Sequence, residues 1–66
     1  MQIVLNDQPH EIAAGSTVAD LLALLGLAGK PLAVEVNRQL VPRHEHAGRE
    51  LAPGDRLEIV TLVGGG

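Results

Sequence analysis

Short apolar stretches separated by turn-forming residues divide the first part of the chain into two strands. The segment from Gln2 to Asn6 is apolar and β-branched, and it ends at Asn6 and Asp7, which favour a turn. The segment from Pro9 to Ala13 can return beside it as a second strand. Because Pro9 has no amide hydrogen to donate, this second strand is expected at an edge of the sheet. The pattern predicts a β-hairpin.

A helical pattern follows the hairpin. Its apolar residues recur at i, i+3, i+4 and i+7 and share one face: Val18, Leu21, Leu22 and Leu25. Thr17 can act as the N-cap, with Asp20 as the acidic residue of a capping box, which the short Asp side chain is expected to weaken. Gly26 can end the helix in the left-handed conformation, with Leu27 as its apolar companion. We predict one helix of about three turns.

A second hairpin is predicted after the helix. Residues 32–37 alternate well enough for a strand, with Glu35 on the face opposite its apolar neighbours. Asn37 and Arg38 can form a tight turn into a short strand over residues 39–41. Asn tolerates a positive φ angle, whereas Arg is a poorer choice than Gly at such a position.

The last third of the chain predicts a central strand. Residues 43–52 are expected to be irregular or to form a short helical turn, anchored by Leu51. A turn at residues 53–55 precedes the run 56–63, which is too continuously apolar for an edge strand. The whole order predicts an α+β protein with a mixed sheet of four to five strands and one main helix across one face. If the last strand lies beside the first, the two are parallel and central, as in the ubiquitin-like β-grasp fold.

Composition and charge limit the class of protein. The chain has 66 residues, no cysteine and no aromatic residue, so one domain with an aliphatic core is expected. We assign that domain to residues 1–63 and a flexible glycine tail to residues 64–66. The net charge of −3 and the scattered basic residues argue against nucleic acid. Without a long apolar stretch or a signal peptide, we expect no membrane partner and a cytoplasmic location.

Three glycines, Gly64, Gly65 and Gly66, directly follow the last apolar run. Glycine adopts φ angles of both signs, so these residues have no fixed shape of their own. Fully extended, they reach roughly 10 Å, enough to carry a carboxylate on Gly66 into a narrow site of another protein. A loose chain end is the plain alternative. We predict a reactive terminus at Gly66, with Gly64 and Gly65 threading into partner sites.

The face of the last strand opposite the helix is a candidate docking surface. Leu57 and Ile59 are expected to meet the helix, which leaves the alternate residues on the other face. With only one helix predicted, that second face has no obvious cover; ordinary burial on both faces is the alternative. The candidate docking residues beside the tail are Glu58, Val60, Leu62 and Val63.

Other polar residues offer little chemistry. His44 and His46, with Glu45 between them, resemble metal ligands, but a structural zinc site needs four ligands and only one further histidine is present. We therefore expect a solvated polar loop there and no metal site. The acidic residues have no paired spacing typical of acid–base catalysis, and no nucleophile stands near a base in a recognisable pattern. The chain is not expected to be an enzyme.

The run from Glu58 to Gly66, the strand Val34-Glu35-Val36-Asn37 and the overall length resemble the ThiS family, the sulfur carriers of thiamine thiazole biosynthesis. The resemblance covers essentially the whole chain. It implies that a ThiF-like adenylyltransferase uses ATP and Mg²⁺ to adenylate the Gly66 carboxylate. A sulfur donor enzyme then displaces AMP to leave a thiocarboxylate, and a ThiG-like thiazole synthase receives the sulfur. The chain itself would bind no cofactor.

Two departures from the family pattern and three alternatives remain. Some relatives carry an aromatic residue at the position of Leu62, and many have glycine at that of Arg38. The first alternative is a carrier like the small subunit of molybdopterin synthase, which delivers sulfur to a pterin. The second is a ubiquitin-like modifier joined through Gly66 to lysines. The third is a β-grasp interaction module whose tail is incidental.

Overall fold

The computed structural model describes residues 1–62, which form a five-stranded mixed sheet with one α-helix. The elements follow one another as β1 (Gln2–Leu5), β2 (Gln8–Glu11), α1 (Val18–Leu24), β3 (Leu32–Val36), β4 (Gln39–Leu40) and β5 (Arg56–Thr61). A turn of 3-10 helix, Arg43–Glu45, lies between β4 and β5. The predicted order of hairpin, helix, hairpin and last strand is confirmed.

The last strand lies in the centre of the sheet, whose strand order is β2-β1-β5-β3-β4. β5 runs parallel to β1, with Leu5 beside Leu57, and antiparallel to β3, with Val34 beside Ile59. β2 and β4 are the two edge strands, so each hairpin contributes one inner and one outer strand. This arrangement is the predicted ubiquitin-like β-grasp fold.

Both hairpins close through two-residue turns in the left-handed region. In the first turn φ is 47° at Asn6 and 67° at Asp7; in the second it is 51° at Asn37 and 68° at Arg38. Two successive positive φ angles match the twist of the adjoining strands, which explains the tight connections. Because the first turn uses only two residues, Gln8 already pairs with Leu5. β2 therefore begins and ends earlier than the predicted segment 9–13.

The helix is shorter than predicted, seven residues and about two turns rather than three. Leu25 is its C-cap, and Gly26 follows with a φ of 74°. The Gly26 and Leu27 amides donate to the carbonyls of Ala23 and Leu22, which completes a Schellman motif and stops the helix there.

The capping box at the start of the helix is complete. The Asp20 amide donates to Thr17 Oγ1 over 3.1 Å, and the Thr17 amide donates to Asp20 Oδ2 over 3.0 Å. Asp20 therefore closes the box despite its shorter side chain.

An aliphatic core lies between the helix and one face of the sheet. Its buried side chains come from the strands, the helix and the connecting segments: Ile3, Ile12, Val18, Leu21, Leu22, Val34, Val36, Val41, Leu51, Leu57 and Ile59. Leu51 anchors the irregular segment before β5, as predicted. Each fully buried aliphatic side chain stabilises the fold by about 1.5–3 kcal/mol.

Candidate functional site

Strand β5 leads the chain out of the core towards the glycine tail, and its side chains alternate between two environments. Leu57 and Ile59 are buried against the helix, whereas Glu58 is exposed. Val60 is 56% exposed and Leu62 is 54% exposed. The predicted split of the strand into a core face and an uncovered face is confirmed, and burial on both faces is excluded for Val60 and Leu62.

The start of β5 is fixed by the turn of the second hairpin. Asn37 Oδ1 accepts a hydrogen bond of 3.0 Å from the Arg56 amide, and its Nδ2 donates to Asp55 Oδ1, also over 3.0 Å. The Asn37 amide in turn donates to the Arg56 carbonyl over 2.7 Å. A left-handed Asn at the turn thus continues the β3 ladder past the last residue of that strand.

The turn of the first hairpin holds β5 nearer the tail. The main-chain ladder between β1 and β5 ends where the Asn6 amide donates to the Leu57 carbonyl over 2.9 Å. The Asn6 side chain continues it, because Oδ1 accepts from the Ile59 amide over 2.9 Å and Nδ2 donates to the Ile59 carbonyl over 3.4 Å. The carboxamide therefore pairs with β5 as a further strand residue would.

Sequence reasoning placed Asn6 only in a turn and missed this second role. The sequence carries only an indirect signal, because the predicted last strand (residues 56–63) is longer than the predicted first strand (residues 2–6), and this difference does not show which residue supplies the missing bonds. The unmatched end of β5 needs hydrogen-bond partners from somewhere other than β1.

Leu62 is the last residue that the structure describes. Its amide donates to the Pro31 carbonyl over 2.9 Å, so the β3 side still holds the chain one residue beyond β5. This end of β5 therefore lies beside the loop that precedes β3. The predicted roles of Val63, Gly64, Gly65 and Gly66 lie outside the described residues.

We call the sheet surface turned away from α1 the open face. The register of the strands determines which side chains lie in the middle of the open face, because directly paired residues project from the same side of a sheet. Ala33 pairs with Val60, and Glu35 pairs with both Glu58 and Leu40. Leu40 is 66% exposed. The open face therefore carries apolar side chains on either side of two adjacent carboxylates.

A shallow hollow of about 340 Å³ occupies the middle of the open face, lined by Ala33, Glu35, Arg38, Glu58 and Val60. Two carboxylates and one guanidinium border it, which leaves an excess of negative charge. The remaining basic residue nearby, Arg56, already forms an ion pair of 3.1 Å with Asp7. Glu58, named from sequence as a docking residue, thus lies at the centre of the open face.

The segment around the 3-10 turn is only partly the solvated loop that was expected. His44 is exposed, but His46 is 8% exposed and its Nε2 donates to the Val41 carbonyl over 2.9 Å. The expectation was wrong for His46, because the 3-10 turn directs its ring towards the end of β4, where a main-chain carbonyl needs a donor. Within residues 1–62, no three His, Cys, Asp or Glu side chains lie close enough together to hold a metal ion.

Among residues 1–62, no helix is long and apolar enough to cross a membrane.

Comparison with known proteins identifies a family. The model of the ThiS family matches residues 3–66. The sulfur carrier protein ThiS of Escherichia coli K12 is 38% identical over 66 residues, and the match covers 100% of both chains. A crystal structure of the thiamine biosynthesis protein ThiS from Geobacter metallireducens superimposes with a TM-score of 0.85 at 28% identity, again over 100% of both chains.

A longer relative contains the same region. A thiazole synthase of Paramagnetospirillum magneticum is 39% identical over 66 residues, which are 100% of this chain and 20% of that protein. The chain thus spans about a fifth of the length of this relative.

Proposed function

Because the chain belongs to the ThiS family, we propose that it is a sulfur carrier protein of thiamine biosynthesis. The observation that carries this proposal is the match over the whole of the E. coli sulfur carrier, glycine tail included. The fold agrees with it, since a central strand leads directly into that tail.

The reactive group in this proposal is the carboxylate of Gly66. One of its oxygens attacks the α-phosphorus of ATP on a ThiF-like adenylyltransferase, pyrophosphate leaves, and an acyl-adenylate forms. A sulfur nucleophile at the oxidation level of sulfide, delivered by a donor enzyme, then attacks the acyl carbon and displaces AMP, which leaves a thiocarboxylate and releases one proton. The carrier takes part as a co-substrate, and the partner enzymes supply ATP, Mg²⁺ and the catalytic groups.

The tail suits this chemistry because glycine has no Cβ to shield the carboxylate or to collide with the walls of a narrow site. Gly64 and Gly65 would thread into the partner while the folded body remains outside. A thiazole synthase resembling ThiG would receive the sulfur. The presence of the same region in a protein named thiazole synthase supports a link between the carrier and that enzyme.

The body of the carrier would be held through the open face. Val60 and Leu62 present exposed apolar side chains just before the tail, and Glu58 lies beside them. Apolar groups surrounded by polar residues are typical of a protein-binding surface. We include Val63 in this docking surface because it directly follows Leu62 in the sequence.

Intact mass spectrometry tests the proposal. The protein is incubated with ATP, Mg²⁺, a ThiF-like adenylyltransferase from the same organism and a sulfur source, and a variant lacking Gly66 is treated in parallel. We expect a mass gain that corresponds to one oxygen replaced by sulfur, located on Gly66 and missing from the shortened variant. An unchanged mass with an enzyme that activates another carrier would refute the proposal.

The alternatives give other outcomes of the same experiment. Adducts through Gly66 to lysines of other proteins would identify a modifier. Sulfur gain followed by transfer to a pterin precursor, and not to a thiazole synthase, would identify a molybdopterin-type carrier.

A matched pair of variants tests the docking surface. Val60→Gln replaces an exposed apolar side chain beside the tail, and Leu24→Gln replaces one on the helix, where Leu24 is 69% exposed. We expect Val60→Gln to raise the KM of the adenylyltransferase for the carrier about tenfold and Leu24→Gln to change it little. Equal effects of the two variants would contradict docking through the open face.

A further inference from the structure

We propose that the open face selects its partner by charge: the carboxylates of Glu35 and Glu58 together bind one arginine or lysine side chain of the partner protein. On either side of this cation, Leu40 and Val60 would pack against apolar groups of the same partner. The inference rests on the proposed function, because it specifies the chemistry of the surface that docks beside the tail.

The two carboxylates are adjacent because of the sheet register. Glu35 on β3 is directly paired with Glu58 on β5, and both side chains are exposed on the open face. Paired residues of antiparallel strands have Cβ atoms about 4.5–5.5 Å apart, and like charges at that spacing repel. The two side chains can therefore both reach one cation placed above the sheet, which would relieve their repulsion.

The carrier's own basic residues balance the charge of this pair only in part. Among residues 1–62, no salt bridge within 4.0 Å involves Glu35 or Glu58. Arg38 borders the hollow from the turn, and Arg56 on the same strand as Glu58 is engaged with Asp7. The hollow therefore holds two carboxylates against one guanidinium, so a second cation is the complementary group.

The apolar neighbours indicate that the cation belongs to a protein surface. Leu40 pairs with Glu35 on one side, and Val60 lies one position along the same face of β5 from Glu58. A bare ion would leave these side chains in water, whereas an arginine offers a planar group for the carboxylates and carbon atoms for contact with them.

A second copy of the chain fits this surface poorly. A symmetric dimer through the open face would bring the same patch against itself, so the Glu35 and Glu58 carboxylates of both copies would meet. Each copy also carries a net charge of −3. Charge complementarity thus favours a basic partner over self-association.

The test uses a charge reversal that has opposite effects on folding and on binding. Glu35→Lys turns a repulsive cross-strand pair into an attractive one, so we expect the melting temperature to rise by roughly 2–5 °C. The same variant places a cation where the partner's cation would bind. We expect the KM of the ThiF-like adenylyltransferase for the carrier to rise about tenfold or more, with kcat nearly unchanged. Pyrophosphate release gives both constants.

Glu45→Lys is the matched control, because it changes the net charge equally on the exposed 3-10 turn, where the Glu45 carboxylate lies 3.5 Å from His44 Nε2. We expect its KM to stay within about twofold of the wild-type value. Glu35→Gln should lie between wild type and Glu35→Lys. For the wild type, KM should also rise with salt concentration, because screening weakens the ion pair.

Two outcomes would overturn the inference. Equal KM changes in Glu35→Lys and Glu45→Lys would assign the effect to net charge alone. A wild-type dimer in sedimentation that dissociates in Glu35→Lys would assign the face to a second copy. Neither outcome touches the proposed function, which depends on whether the wild-type carrier gains sulfur at Gly66.

Discussion

The hydrogen bonds between the Asn6 side chain and Ile59 can be tested with a pair of substitutions at equivalent turn positions. Asn6 and Asn37 both occupy the first left-handed position of a two-residue turn, and each makes two side-chain hydrogen bonds at β5 or just before it. Replacing either by Gly keeps the backbone conformation accessible and removes only the carboxamide. The two variants differ in where along β5 the support is lost.

The expected loss of folding stability follows from the hydrogen bonds that each substitution removes. Asn6→Gly removes a bond of 2.9 Å and a longer one of 3.4 Å, both part-buried. Each hydrogen bond contributes about 0.5–1.5 kcal/mol net, the longer one less. Glycine also adds entropy to the unfolded chain, about 0.5–1 kcal/mol. We expect a total destabilisation of about 1–3 kcal/mol, and somewhat less for Asn37→Gly, whose two bonds are exposed.

Amide hydrogen exchange separates the local effect from the global one. In Asn6→Gly the Ile59 amide loses its acceptor, so its exchange should accelerate about tenfold beyond the change that the lower global stability explains. In Asn37→Gly the excess acceleration should instead appear at the Arg56 amide. Chemical denaturation of both variants gives the global free energy of unfolding for the correction.

The reasoning would be refuted if the Ile59 amide exchanged in both variants at the rate set by global stability. In that case Asn6 would act only as a turn residue, and another contact would hold the end of β5. Acceleration of the Ile59 amide by the same factor in both variants would likewise refute the reasoning, because only Asn6→Gly removes hydrogen bonds to Ile59.

Three further predictions concern stability and are measured by thermal or chemical denaturation. Arg38→Gly should stabilise the protein by up to about 1 kcal/mol, because Arg38 has a φ of 68° that glycine adopts without strain; a loss of stability would show that the Arg38 side chain contributes more than its backbone strain removes. Thr17→Ala should lower the free energy of unfolding by about 1 kcal/mol, because the hydrogen bond from the Asp20 amide to the cap is lost, whereas Thr17→Ser should keep most of that stability. Equal stability of the two variants would contradict the capping role. Leu57→Ala should cost about 2–5 kcal/mol, since Leu57 is 1% exposed in the centre of the core, whereas Leu40→Ala on the open face should cost much less.

The features that follow local patterns could be predicted from the sequence. The spacing of Val18, Leu21 and Leu22 defines the buried face of the helix, and the alternation along β5 separates Ile59 from Val60. The helical and strand periods of side-chain direction depend only on local backbone geometry, so contacts between distant residues do not change them. They are enough to predict the β-grasp order and the uncovered face of the sheet.

Features set by contacts between distant residues could not be predicted. The bonds between Asn6 and Ile59 join residues 53 positions apart, and nothing local to either residue reveals them. His46 lies in a polar run, yet its ring is buried, where it donates a hydrogen bond to the Val41 carbonyl. The charged centre of the open face depends on register, because only the pairing of Glu35 with Glu58 brings two isolated acidic residues together.

The central place of β5 also governs when the protein can fold during its synthesis. Until β5 has left the ribosome, the β1–β2 and β3–β4 hairpins have no strand in common, and isolated hairpins are barely stable in water. Folding must therefore wait until β5 has been translated. A product that terminates before β5 lacks the strand that joins the two halves, so it stays unfolded and open to proteases. The position of one strand thereby ensures that a folded molecule contains every element from β1 to β5.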